Sequence, residues 1–195
     1  MQYTCHSGGA QGSDITWEAF GEEFGVVTVS YSFHGHRNRS RNNLILTQED
    51  LDEGWEHAQI ASEYLKRNLN RPRPGYVKSL ISRNWFQVAN AEEVFAIGYF
   101  DNKRKTTVKG GTGWAVQMAA DNNLRTFLFD QDSNSWYMRP AGLKTFVEYY
   151  DVPTLPHDFA GIGTRKITEA GILAIAEVYE ATFGELTTDI PTIMI

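Results

Sequence analysis

Three short stretches of this 195-residue chain hold the residue types that suit chemistry at a phosphate. His6 to Asp14 reads HSGGAQGSD, so Ser7, Gly8, Gly9, Ala10 and Gly12 form a loop with almost no side chains, closed by the carboxylate of Asp14. The run KGGTG supplies Gly110, Gly111, Thr112 and Gly113, and AGIGTR supplies Gly161, Gly163, Thr164 and Arg165. A glycine loop between a strand and a helix lets backbone N–H groups approach an anion, and the helix adds the positive end of its dipole. One such loop serves equally as a tight turn, but three at one sheet edge converge on a crevice where ligands bind. Arg165 adds a guanidinium able to pair bidentately with phosphate. Asp14 is placed either to cap the next helix or to accept a ribose hydroxyl.

Other polar residues admit two readings. Arg83 and Asn84 lie just upstream of a strand aimed at the same edge, as ligand contacts or as a charged helix surface. Arg37, Arg39 and Arg41 in HGHRNRSR follow a strand and should emerge at the crevice end, yet such a run is also the composition of a solvated loop. His34 and His36 form an H-x-H pair without a cysteine or carboxylate set, so no metal site is expected, and no cofactor. Of the five tryptophans, Trp17, Trp55, Trp85 and Trp136 read as core, whereas Trp114 sits inside a glycine loop where it can stack on a base.

These loops need strands that end side by side. QYTCH reads as a short strand before the first loop, and DITWEAFGEEFG as the helix after it. VVTVSYSF is a β-branched and aromatic strand. HGHRNRSRNN is irregular, and Thr47 with Asp50 opens a capped helix running to about Asn68. SLISRNWFQVANA is helical, EEVFAIGYF a strand, and VKGGTGWAVQMAADNN a glycine loop feeding a helix. RTFLFDQ is another strand, SWYMRPAGLKTFVEYYD is mixed, and HDFAGIGTR with ITEAGILAIAEVYEATFG is a third strand, loop and helix. Three such units predict an α/β domain with a largely parallel sheet covered on both faces.

Composition fits one domain over residues 1–195, at 42% hydrophobic with no drift in charge. The lone Cys5 lies in an apolar segment and reads as a buried thiol. No leader and no apolar run long enough for a membrane span are evident, so a cytoplasmic protein without membrane contact is expected. A net charge of -6 argues against a surface built for duplex DNA.

SGGAQGSD resembles the SGGA-x-G-x-D motif of the SLOG superfamily, a Rossmann-like group that includes DNA-processing protein A, the Lonely Guy phosphoribohydrolases and nucleotide-sensing domains of bacterial defence proteins. AGIGTR is similar to that family's first strand and loop, GGTGWAVQMA to its later GGT loop, and SRNWFQVANAEEVFAIG to the segment before it. The resemblance implies a three-layer sandwich with the glycine loops at the carboxyl edge of the sheet. Family order places the AGIG unit first, and here it is last, at about 157–184. A circular permutation accounts for this, with a helical insertion at about 35–78 and an added apolar tail, TTDIPTIMI, that packs on this chain or a partner. Exchange of the last unit between protomers, and hence a homo-oligomer, is the other possibility.

The phosphoribohydrolases carry a glutamate in their glycine-loop motif, and alignment by the glycine pair puts Gln117 in its place. A neutral amide is neither a general base nor an electrostatic stabiliser of an oxocarbenium ion. The resemblance then implies three functions. One is a pocket that senses or sequesters a small nucleotide-derived ligand of ADP-ribose or cyclic-nucleotide type, as in a phage counter-defence protein acting in the host cytoplasm. Another is a nucleotide N-glycosidase, with Asp14 the first candidate carboxylate. Single-stranded nucleic-acid binding is the third, with the acidic balance against it.

Overall fold

Apolar residues fill both faces of the central strands, which is the pattern a parallel sheet between two helical layers imposes. The computed structural model describes residues 2–69 and 75–185. Its strands are β1 (Thr4–Ser7), β2 (Val27–Phe33), β3 (Asn43–Leu46), β4 (Glu93–Gly98), β5 (Arg125–Asp130), β6 (Ser135–Arg139), β7 (Val147–Tyr149) and β8 (Asp158–Gly163). Its helices are α1 (Ser13–Glu23), α2 (Gln48–Leu65), α3 (Gly75–Ala89), α4 (Thr112–Asp121) and α5 (Glu169–Phe183). The eight strands form one sheet in the order β3-β2-β1-β8-β4-β5-β6-β7, parallel from β3 to β5 and antiparallel over β6 and β7. The fold is α/β, a Rossmann-like three-layer sandwich.

Alternation along β4 sends its side chains into two cores. Val94 and Ala96 meet Ala58, Val88 and Ala115 from α2, α3 and α4. Phe95 and Ile97 meet Trp17, Ile175 and Tyr179 from α1 and α5. Cys5 is fully buried in the second core. Thr47 caps α2 through a reciprocal pair with Asp50, and Leu51 and Ala58 are on the buried face.

Two segments differ from the sequence reading. The stretch 35–78 is not purely helical, because β3 pairs with the far side of β2 before α2 begins. Three of its four residues are exposed, so NLIL shows no alternation to betray a strand. The mixed stretch after β5 turns back through Asn134, at φ 50°, to form the antiparallel β6 and β7. At the other end of the molecule Phe183 closes α5 with its ring 4.8 Å from that of Tyr3, just ahead of β1. The end of the AGIG unit thus lies beside the start of the SGGA unit, and β8 pairs with β1. The tail at 187–195 lies outside the described residues. Among those described, no helix is long and apolar enough to cross a membrane.

Candidate ligand-binding crevice

Strands β1, β8 and β4 are parallel neighbours, so the loops leaving their carboxyl ends open at one edge. There a cavity of about 530 Å³ is lined by Ala10 from the first loop, Gly110, Gly111 and Thr112 from the second, and Gly163, Thr164 and Arg165 from the third. Asp14, at the start of α1, and Arg83 and Asn84, on α3, also line it. The remaining expected site residues, Ser7, Gly8, Gly9, Gly12, Gly113 and Gly161, are not among its lining residues.

Their small size serves protein contacts. Gly8 gives its carbonyl to the Arg83 guanidinium, and a Cβ there would collide with that side chain. Gly9 donates to Glu18 Oε1 at 3.1 Å and accepts from the Arg39 N–H. Gly113 packs on the Val108 carbonyl, and Gly161 on the Trp17 ring. The Ser7 hydroxyl reaches the Asp14 carbonyl at 3.4 Å. The bare backbone of HSGGAQGSD is therefore kept clear first for an arginine and for the neighbouring loop.

That arginine is the electrostatic centre of the site. Arg83 is only 5% exposed, donates to Gly8 and Tyr31 carbonyls, and leaves its Nε without a partner among the described residues. Burial pulls its pKa down, and the nearby carboxylates of Asp14 and Glu18 oppose that. Burial likewise pushes the Asp14 carboxyl up, against Arg83 and the N–H groups of Ala10 and Gly163. Asp14 Oδ1 accepts from Gly163 N–H at 3.1 Å, so the carboxylate clasps the third loop to α1 rather than capping its own helix through a side-chain bond. Glu18 is also raised by burial. A carboxyl raised by burial beside a cavity holds its proton to a higher pH than a free one does.

The same cavity also has apolar lining, from Val77, Leu80 and Ile81 of α3 and from Trp114 and Ala115 of α4. Arg67 lies over the Trp114 ring at 5.6 Å and donates to the Gly110 and Val108 carbonyls, both at 2.8 Å, fastening the second loop from the end of α2. Asn84 reaches the Gly111 carbonyl at 3.4 Å. The third loop is fastened by Gln131, which donates to Lys166 and accepts from Thr168, the cap of α5. Gln117 is buried outside the cavity, donating to Asp121 Oδ1 at 2.8 Å. Its amide therefore does not face the crevice.

Sequence reasoning missed Gln87, Lys109 and Lys166 in the lining. The two lysines flank glycine loops, a signal that was available. Val77, Leu80, Ile81 and Asn84 follow the i, i+3, i+4, i+7 spacing of any helix facing a core, which does not separate cavity wall from packed interior.

His36 stands beside this edge. Its Nδ1 lies 3.1 Å from the Ser32 hydroxyl and its ring stacks on Phe33. Burial, with Arg83 and Arg165 nearby, lowers its pKa to about 4. The unfolded chain then binds this proton more readily, so His36 contributes stability that is present above about pH 6.5 and lost as pH falls towards 4. Melting temperatures across that window should fall more steeply for the wild type than for His36→Asn. Parallel curves would show that His36 does not carry the linkage.

No family model, curated protein or solved structure matches the chain.

Proposed function

We propose that the crevice binds a small nucleotide-derived ligand, of the ADP-ribose or cyclic-nucleotide type, and sequesters or senses it without turnover. One observation carries this reading: a single cavity is lined both by apolar side chains of α3 and α4, Val77, Leu80, Ile81 and Trp114 among them, and by glycine-loop residues with Arg83, Lys109, Arg165 and Lys166. The apolar residues suit a base, and the cationic ones suit phosphate. The SLOG resemblance of the same three loops supports the ligand class. A volume near 530 Å³ is that of a small-molecule site rather than of a strand-binding channel.

Mass spectrometry of small molecules released on denaturing the purified protein should find a nucleotide. Incubation with AMP, NAD and ADP-ribose should deplete the bound species by about one equivalent per chain and return it intact. Arg165→Ala should weaken calorimetric binding of a phosphorylated ligand by roughly 1.5–3 kcal/mol, the scale of a charge-assisted hydrogen bond. Unchanged affinity would remove Arg165 from the site.

Asp14 favours a second reading. Its raised pKa, its burial and its place in the cavity wall suit a general acid for N-glycosidic cleavage. Free base accumulating over many turnovers, and abolished by Asp14→Asn, would replace the binding function with this one.

A further inference from the structure

Beside the crevice lies a second cavity of about 660 Å³, with Ala10 and Arg165 common to both. Its other walls include His36, Arg37, Arg39 and Tyr76. Three guanidiniums therefore share one hollow, and no carboxylate is among its lining residues. None of the three takes part in an ion pair among the described residues, in a chain whose net charge is -6. Acidic side chains are plentiful, so an uncompensated arginine cluster means self-repulsion that an anion would relieve.

The loop bearing Arg37 and Arg39 is built onto the site. Arg39 N–H donates to the Gly9 carbonyl at 3.1 Å. Asn38 between them donates to Ser30 Oγ at 3.1 Å and to the Gly8 carbonyl at 3.4 Å, and accepts from Ser40 N–H at 2.6 Å. Gly35, at φ +82°, makes the turn that brings the loop back over β2. The first glycine loop is thus sandwiched between Arg83 beneath and the arginine loop above.

We propose that the second cavity is an anion subsite, so that the ligand carries at least two phosphates, one in the crevice and a distal one held by Arg37, Arg39 and Arg165. The identity of the ligand's other half rests on the nucleotide reading of the crevice; the anion subsite itself does not. His36, facing Arg83, Arg165 and Tyr76 from its neighbouring elements, would report occupancy, because a phosphate beside it favours its protonated form.

The test is an NMR and calorimetric titration at low salt, using inorganic pyrophosphate, AMP and ADP on the wild type and on Arg37→Ala/Arg39→Ala. Both arginines are exposed, and a melting curve checks that the double variant is folded. Pyrophosphate should bind the wild type and raise the His36 titration midpoint, and the double variant should bind it at least about tenfold more weakly. The preference of the wild type for ADP over AMP should collapse in the double variant. Pyrophosphate binding that is absent, or equal in the two proteins, overturns the subsite whatever AMP does. Should AMP bind neither protein while pyrophosphate depends on Arg37 and Arg39, the subsite stands and the nucleotide reading of the crevice fails. A single-stranded octanucleotide that binds through the same arginines more tightly than ADP would overturn the small-ligand assignment in favour of a nucleic-acid strand.

Discussion

Arg83→Leu should destabilise the fold by about 3–5 kcal/mol, the cost of leaving buried charges without their partner. The guanidinium lies between the Gly8 and Tyr31 carbonyls and near Asp14 and Glu18, two carboxylates already raised by burial. With it gone, both carbonyls lose a charged donor, and Asp14 escapes its isolation chiefly by taking up a proton. The defect should therefore shrink between pH 7 and pH 5, since a carboxyl raised further in the folded state gains stability as pH falls through that raised pKa. Pairing the change with Asp14→Asn should cost less than the two single changes added together, because the shared interaction is lost only once. Urea denaturation of the four proteins at both pH values gives the cycle. A loss below about 1 kcal/mol, or strict additivity, would make Arg83 a surface charge after all.

That surface reading is one of the two the sequence allowed, a ligand contact being the other, and neither places the guanidinium against the first glycine loop. Along α3 a charged residue at position 83 sits between the buried Ser82 and Asn84, so helical periodicity gives no hint that its head group turns under the sheet edge. The glycine loops were legible because a strand, a glycine pair and a helix start in succession mark a parallel strand's carboxyl end whatever surrounds them. Which glycines face the ligand was not legible. Gly8 and Gly113 are small to admit a side chain or a carbonyl from residues far away in sequence, and only the assembled fold brings Arg83 and Val108 to them. Gln117 shows the same limit. Counting from a glycine pair gives a position on α4, but the rotation of α4 turns that amide towards Asp121. Arg67, which latches the second loop, lies just past the end of α2 in a segment with no motif at all.

Gly12→Ala should cost about 2–4 kcal/mol and should disable the crevice as well, because this glycine is where the first and third loops touch. Its φ of +94° with ψ of -129° lies outside every region open to an L residue, which alone costs about 1–3 kcal/mol. A Cβ would also stand 2.5 Å from the Arg165 carbonyl oxygen and 2.7 Å from that of Thr164, both backbone atoms that have no rotamer to escape into. Crowding of this kind adds roughly 1–3 kcal/mol, part of it shed if the loops move apart. Moving apart is the more consequential response. Ser13 fixes the third loop through its N–H, at 3.1 Å, and its hydroxyl, at 2.9 Å, both to the Thr164 carbonyl, so separation breaks those bonds and carries Arg165 away from both cavities. The control is Gly25→Ala, away from both cavities, where φ is +69° but a Cβ meets nothing within 4 Å. It should show only the left-handed penalty, about 1–2 kcal/mol, and keep binding ADP. Denaturation midpoints and ADP titrations of the two variants separate backbone strain from loop contact. If Gly12→Ala proves no worse than Gly25→Ala in both measurements, the loops are not interlocked at Gly12, and Arg165 must be positioned by the Gln131 contacts to Lys166 and Thr168 alone.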